Sequence, residues 1–137
     1  NFFSLNFYCI IYKPFNVLSQ FTSQEGKQTL KDFFDVPPDV YPVGRLDYDS
    51  EGLLILTNDK TINNKLLNPD HEHIREYWVQ VEGAVTLDAI NQLQNGVSIS
   101  IDGKKHQTKK CGASIFNTAP AVPERNPPIR FRASAPR

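Results

Sequence analysis

The chain contains no methionine and only two cysteines, Cys9 and Cys111. Neither cysteine sits in a Cys-x-x-Cys pair, so the sequence offers no disulfide framework and no thiolate zinc site, and it fits a reducing cytosol. Translation starts at methionine, so its absence sets the expectation that this chain is a fragment of a longer one. The PERNPPIRFRASAPR end, which closes on no strand or helix, points the same way. No apolar run reaches the roughly 18 residues that span a membrane. The apolar opening, NFFSLNFYCIIYKP, follows no basic segment and precedes no small-residue cleavage site, so it reads as a strand and not as a signal peptide. Phosphate-cradling loops of the GxGxxG or GxxxxGK(S/T) type are missing, which removes the nucleotide-binding readings. There is no nucleophile elbow to support serine–histidine–aspartate chemistry. His71 and His73 form an HEH pair without HExxH spacing or further spaced ligands, which makes them surface residues rather than a metal site.

Net charge is absent too, but only in total. Residues 1–74 hold 6 basic and 10 acidic side chains, whereas residues 75–137 hold 9 basic and 5 acidic ones. From Gly103 onward 8 basic residues face Glu124 alone. This basic C-terminal third can meet a polyanion or can be a solvated loop surface, and charge alone leaves both readings open. The 137 residues suit one domain, and 39% hydrophobic with 22% charged residues puts the chain among globular rather than disordered sequences.

Periodicity and punctuation give the elements. Phe7–Tyr12 is β-branched and aromatic and predicts a strand; Pro14, Asn16 and Gly26 mark the following stretch as loop. Thr29 to Phe34 can form a short helix capped by Thr29, and DVPPDVYP must run extended. Gly52–Thr57 reads as a buried strand, and a helix from about Asp59 to Leu67 ends before Pro69. Arg75–Gly83 alternates as a strand does, with Tyr77, Val79 and Val81 on one face. Thr86 caps a helix that Gly96 stops. VSISID and CGASIF predict two more strands, joined by the basic GKKHQTKK. The order predicts an α+β fold, with helices packed on a mixed, mainly antiparallel sheet.

Three acids, Asp47, Asp49 and Glu51, alternate just before the Gly52–Thr57 strand. In an extended chain they would share one side and repel, so a turn around LDYDSEG is expected instead. DSEG is a common turn composition, which makes Asp49 and Glu51 solvent residues. Asp47 lies beside Arg45, after Gly44 and between two apolar stretches, so part burial is expected; composition alone leaves a catalytic role open. Aromatic and basic residues interleave in REYWVQ and PPIRFR, a pattern that can stack bases and meet phosphates or can belong to a core strand and a loop.

The whole string GRLDYDSEGLLILTND, Gly44 to Asp59, resembles the signature of the RsuA-type pseudouridine synthases: GRLD, a variable pair, Ser or Thr, one residue, then GLLLLTND. Every fixed position is met, with Ser50 in the hydroxyl slot and Ile55 as a conservative change. YKPFNVLSQFT is similar to the family's opening motif and REYWVQVEG to its second, although Glu76 stands where threonine is common. RNPPIRFR resembles a segment of the RluE large-subunit rRNA subgroup. The resemblance implies isomerisation of a specific uridine in 23S rRNA to pseudouridine, with no cofactor and no membrane partner, by a cytoplasmic monomer without a separate N-terminal RNA-binding domain. It implies that Asp47 is the catalytic aspartate and that Arg45 fills the gap left by a flipped uridine. It implies that Tyr77 stacks on the target base and can act in proton abstraction, with Leu46 and Arg75 on the substrate side. Asp49 and Glu51 then only shape the turn. The family's third motif, a strand followed by an EGRNRQVRRM-like basic run, is absent and is expected just after Pro136. Residues 1–137 therefore read as roughly the first two thirds of a catalytic domain, and the basic partner of Asp47 is expected in the missing run. Two readings of other classes stand beside this one. The first is a truncated, non-catalytic RNA-binding or ribosome-assembly protein on the same fold; the remoter one is a nucleoside or sugar hydrolase.

Overall fold

The first structural unit runs to Glu76 and is built on three antiparallel strands in the order β1 (Tyr8–Lys13), β5 (Gly52–Thr57), β4 (Tyr41–Pro42). The coordinates are a computed structural model, which describes residues 5–130. β1 and β5 are the two strands that the apolar runs predict, and they pair from Tyr8 opposite Thr57 to Lys13 opposite Gly52. Pleating puts alternate residues on opposite faces. One face buries Ile11, Leu54 and Leu56, and Val17, Leu30 and Val40 complete the core beneath it. The other face leaves Ile10 and Leu53 exposed.

Between β1 and β4 the expected loop contains a two-residue parallel pair, β2 (Val17–Leu18) with β3 (Gln28–Thr29). A pair this short has no period to read. Thr29 then leads into a single 3₁₀ turn, Leu30–Asp32, instead of a helix reaching Phe34; the Asp32 carboxylate accepts the Thr29 N–H at 2.8 Å. Residues 34–37 form no helix or strand, and the extended course expected of DVPPDVYP is broken by a turn at Pro38–Asp39, where the Val40 N–H donates to Pro37 O at 3.0 Å.

After β5 comes α1 (Lys60–Leu67), which ends before Pro69 as predicted and is capped by Asp59. Asp59 Oδ1 accepts the Thr61 N–H at 2.9 Å and the Thr61 hydroxyl at 2.7 Å, while the Tyr8 hydroxyl donates to Oδ2 at 2.7 Å. Thr61 first, then Tyr8, hold the Asp59 carboxyl below its usual range. A carboxyl whose folded pKa is depressed stabilises the fold above its unfolded pKa and loses that contribution as pH falls through the folded one. Urea titrations of wild type and Asp59→Asn should therefore show a stability gap at neutral pH that narrows once the pH falls below about 4.

The second unit starts at Tyr77 and contains α2 (Leu87–Asn95) and an antiparallel hairpin, β6 (Ser98–Ile101) with β7 (Lys104–Gln107). α2 follows its signals: Thr86 Oγ1 accepts the Ala89 N–H at 3.1 Å, and the helix ends at Gly96. β6 is the expected strand, but its partner is not CGASIF. It pairs with Lys104–Gln107, inside the basic stretch that composition marks as a connecting loop. Asp102 and Gly103 turn between them with φ of 50° and 76°, both positive as a type I′ turn demands, and an Asp-Gly dipeptide is the strongest local signal for that turn. Cys111–Phe116 instead follows α2, where the Cys111 N–H donates to Gln94 O at 3.3 Å and Gln94 Nε2 donates to Ala113 O at 2.9 Å.

Residues 75–83, expected as a strand, are not one of the strands that the described residues form. Alternation decides which side a residue faces, whereas a strand exists only through its ladder with a neighbour. Trp78 packs edge-on to Phe116 with ring centroids 5.4 Å apart. The fold class is α+β with antiparallel pairing predominant, as predicted. Residues 1–4, the Phe131–Arg132 part of the PPIRFR stretch and the position after Pro136 where the third motif is expected lie outside the described residues.

Candidate functional site

The loop from Val43 to Glu51 joins β4 to β5 and carries Arg45, Leu46 and Asp47. It leaves the sheet edge with the Val43 N–H donating to Ile55 O at 2.7 Å. Gly44 follows at φ 78°, and a Cβ there would stand 3.0 Å from Leu67 Cδ2, so a side chain would meet both backbone strain and α1. Leu46 is held on both sides of its residue. The Ser19 hydroxyl donates to Leu46 O at 2.8 Å and accepts the Leu46 N–H at 3.1 Å. Ser19 is buried, and it comes from the VLSQ stretch beside β2.

Asp47 inherits this order through the chain. Its carbonyl accepts the Ser50 N–H at 3.1 Å, which closes a turn with Tyr48 and Asp49 at its centre. That turn replaces the extended arrangement in which like charges would sit together, as repulsion predicts. Asp47 and Asp49 are exposed and Glu51 is half-buried. The expected part burial of Asp47 does not occur: the loop fixes its backbone and leaves its side chain in solvent. Lys27 Nζ lies 5.0 Å from the Tyr48 ring centroid, a cation–π contact on the outer side of the turn.

The end of the same signature string has a different task. The Thr57 hydroxyl donates to Phe7 O at 2.6 Å and accepts the Asp59 N–H at 3.0 Å. The Asn58 side chain accepts the Phe7 N–H at 2.8 Å and donates to Asp39 at 2.9 Å. Threonine, asparagine and aspartate thus tie β5 to the start of β1, to the turn before β4 and to the cap of α1.

A cation lies under the acids, and composition gave no hint of it. Lys13 is fully buried at the end of β1, opposite Gly52. Its Nζ donates to Pro14 O at 2.8 Å and to Val17 O at 2.7 Å. Burial lowers its pKa most, and the carboxylates of Glu51, Asp49 and Asp47 pull it back up, in that order. One sequence signal does exist: Cys9, Ile11 and Lys13 share the inward phase of β1, which puts a charge where an apolar residue belongs.

The loop therefore brings Arg45, Leu46 and Asp47 together, with Arg45 exposed and Leu46 half-buried. Arg75 is exposed near the end of the first unit, and Tyr77 is exposed at the start of the second. His71 Nδ1 and His73 Nε2 lie 2.8 and 2.9 Å from Lys65 O, so both histidines serve the C-terminal turn of α1. Among the described residues no group of three or more His, Cys, Asp and Glu side chains could hold a metal ion.

A model of the RNA pseudouridylate synthase family matches residues 7–127. The chain belongs to that family. It is 43% identical over 129 residues to the ribosomal large subunit pseudouridine synthase E of Xanthomonas axonopodis pv. citri, covering 93% of this chain and 65% of that protein. It is 46% identical over 127 residues to the synthase E of Vibrio vulnificus, covering 93% of this chain and 52% of that protein. Against the ribosomal large subunit pseudouridine synthase B of Bacillus subtilis, identity is 38% over 103 residues, or 74% of this chain and 42% of the relative. The chain thus spans about half to two thirds of the length of the synthase E relatives. A crystal structure of a pseudouridylate synthase shares the fold, with a TM-score of 0.66 at 24% identity over 85% of this chain and 49% of that one. Within this chain, the string that resembles the family signature is the string that builds the ordered loop around Asp47.

Proposed function

We propose that the full-length protein isomerises one uridine of 23S rRNA to pseudouridine, with Asp47 as the catalytic carboxylate. The observation that carries this reading is the Asp47 loop: one exposed carboxylate on a backbone pinned at its preceding residue, in a chain of this family. The reaction breaks the C1′–N1 glycosidic bond, turns the uracil and forms a C1′–C5 bond; C5 then loses its proton to solvent or a base and N1 takes one up, so the product is an isomer of the substrate. A uridine stacked in a helix cannot reach a side chain, so it must be flipped out. Positive charge develops at the anomeric carbon as the glycosidic bond breaks, and a carboxylate stabilises it, whether by attack on the sugar or by assisting elimination. The base is retained, so one acid suffices. Arg45 is assigned to the space vacated by the flipped base, Leu46 and Arg75 to substrate contact, and Tyr77 to stacking and proton abstraction. Residues 1–137 are assigned to the catalytic domain. A monomer in the cytoplasm fits an rRNA substrate, and no helix among the described residues is long and apolar enough to cross a membrane.

Mapping pseudouridines in 23S rRNA from a strain lacking the gene tests this. One site present in the parent and missing in the deletion supports the reading; an unchanged map overturns it. The loop geometry adds a second expectation. Ser19→Ala leaves both Leu46 groups without their partner, which should cost about 1–3 kcal/mol of stability. It should also cut kcat about tenfold, equivalent to roughly 1.4 kcal/mol in the barrier, by loosening the residue before Asp47. Chemical denaturation and single-turnover tritium release from 5-tritiated rRNA read the two effects.

A further inference from the structure

The second unit carries a basic hairpin that holds none of the residues assigned to the reaction above. All of β6 and β7 is exposed, and so are Lys109 and Lys110 just beyond. Register decides what each face of the hairpin presents. Ser98 stands opposite Gln107 and Ser100 opposite Lys105, so these four polar residues share one face. Ile99, Ile101, Lys104 and His106 share the other. The polar face continues into an open concavity of about 620 Å³, lined by Ser98 and Gln107 of the hairpin and by Asp88, Asn91, Gln92 and Asn95 of α2, with the Asp88 carboxylate occupied by the Gln92 amide. Two of these amides are already oriented, since Gln92 Nε2 donates to Asp88 at 2.7 Å and Asn95 Nδ2 to Asn91 O at 2.8 Å. Among the described residues no ion pair engages Lys104, Lys105, Lys109 or Lys110, and no acid occurs from Gly103 to Pro123.

We infer that this hairpin and the concavity at its open end form a second RNA-contact surface, in which Lys105 binds a phosphate and the amides receive an unpaired nucleotide. The proposal rests on the rRNA reading above for the choice of RNA. Lysine supplies a point charge for a phosphate, and paired amide donors and acceptors match a base edge. Lys105 and Gln107 are two residues apart on one face, roughly 7 Å along the strand. A nucleotide held by the amides therefore leaves its phosphate within reach of the lysine. An acidic protein segment would use the lysines but would give the amide-lined hollow nothing to do, so RNA is the better fit.

The test uses the full-length protein and 23S rRNA fragments, with equilibrium binding measured across a salt series and tritium release measured alongside. Lys105→Gln, on the face that carries Gln107, should lower the slope of log affinity against log salt by about 0.7–0.9, the counterion release of one phosphate contact, and Lys104→Gln on the opposite face should leave it unchanged. The KM of Lys105→Gln should rise about tenfold at constant kcat. Asn91→Ala should weaken binding several-fold and leave the slope unchanged. An unaltered slope and affinity in Lys105→Gln overturns the proposal, as does a fall in kcat at constant KM. The two readings fail separately: wild type that binds RNA through Lys105 but releases no tritium sinks the isomerase assignment alone. Isomerisation with variants that bind normally sinks this surface alone.

Discussion

Asp47→Asn in the full-length protein should abolish tritium release from 23S rRNA carrying 5-tritiated uridine, a loss of at least about 10³-fold, the scale on which removing a reacting group falls. The substitution is close to isosteric and breaks no hydrogen bond of the loop, and of the three carboxylates that act on Lys13 that of Asp47 contributes least. The turn bond to Ser50 uses the Asp47 carbonyl, and Ser19 grips the peptide groups of Leu46. The variant should therefore melt with wild type and bind rRNA with wild-type affinity, so that the loss sits in the chemical step. Asp49→Asn is the matched control. It lies at the centre of the same turn and is equally exposed, and its release should stay within a factor of about two of wild type, as for surface changes in general. Wild-type-like release from Asp47→Asn would end the assignment; equal losses in both variants would move the effect from one carboxylate to the charge of the whole loop.

Where the sequence was legible, a local rule and the global fold agreed. β5 matched its prediction end to end, and α1 and α2 began at the caps their Asp59 and Thr86 announce. The turn that splays the acids followed from charge repulsion and from DSEG. Two misreadings in the second unit had one cause. Basic residues made Lys104–Gln107 look like a connection, and apolar ones made Cys111–Phe116 look like its strand, although the Asp-Gly turn fixes the hairpin register regardless of polarity. The site was half visible. Arg45, Leu46 and Asp47 are contiguous, so a linear motif captures them. Ser19 acts across 27 residues, and no spacing rule reports a contact made only in the folded chain, whereas the inward phase of Lys13 on β1 was legible and its local hydrogen bonds were not. Lys13 also defeats the habit of reading a charged residue as a surface one, since its cost of burial is offset by two carbonyls and three nearby carboxylates.

That balance makes Lys13→Met the second large effect. Methionine keeps most of the stem's volume but removes the donors, and the carbonyls of Pro14 and Val17 lose their partner inside the fold. Two orphaned acceptors should cost about 2–4 kcal/mol in urea-induced unfolding near neutral pH. The relief of no longer burying an ammonium works against that loss, and pH separates the two. The folded pKa of Lys13 lies below its unfolded value, so between the two the unfolded chain binds more protons and wild-type stability rises with pH. The variant lacks that term. Its deficit against wild type should therefore widen as pH climbs through the lowered folded pKa toward about 10.4, because a neutral amine still donates to both carbonyls without carrying a buried charge. A deficit that shrinks over the same range would mean that the charge, not the two hydrogen bonds, is what Lys13 contributes. The acids above it give an independent reading. With the ammonium gone, Glu51, Asp49 and Asp47 lose a buried cation that all three act on, so kcat should fall. If kcat stays in place while stability falls, Lys13 is a structural clamp for the Pro14–Val17 turn and has no hold on the loop that carries Asp47.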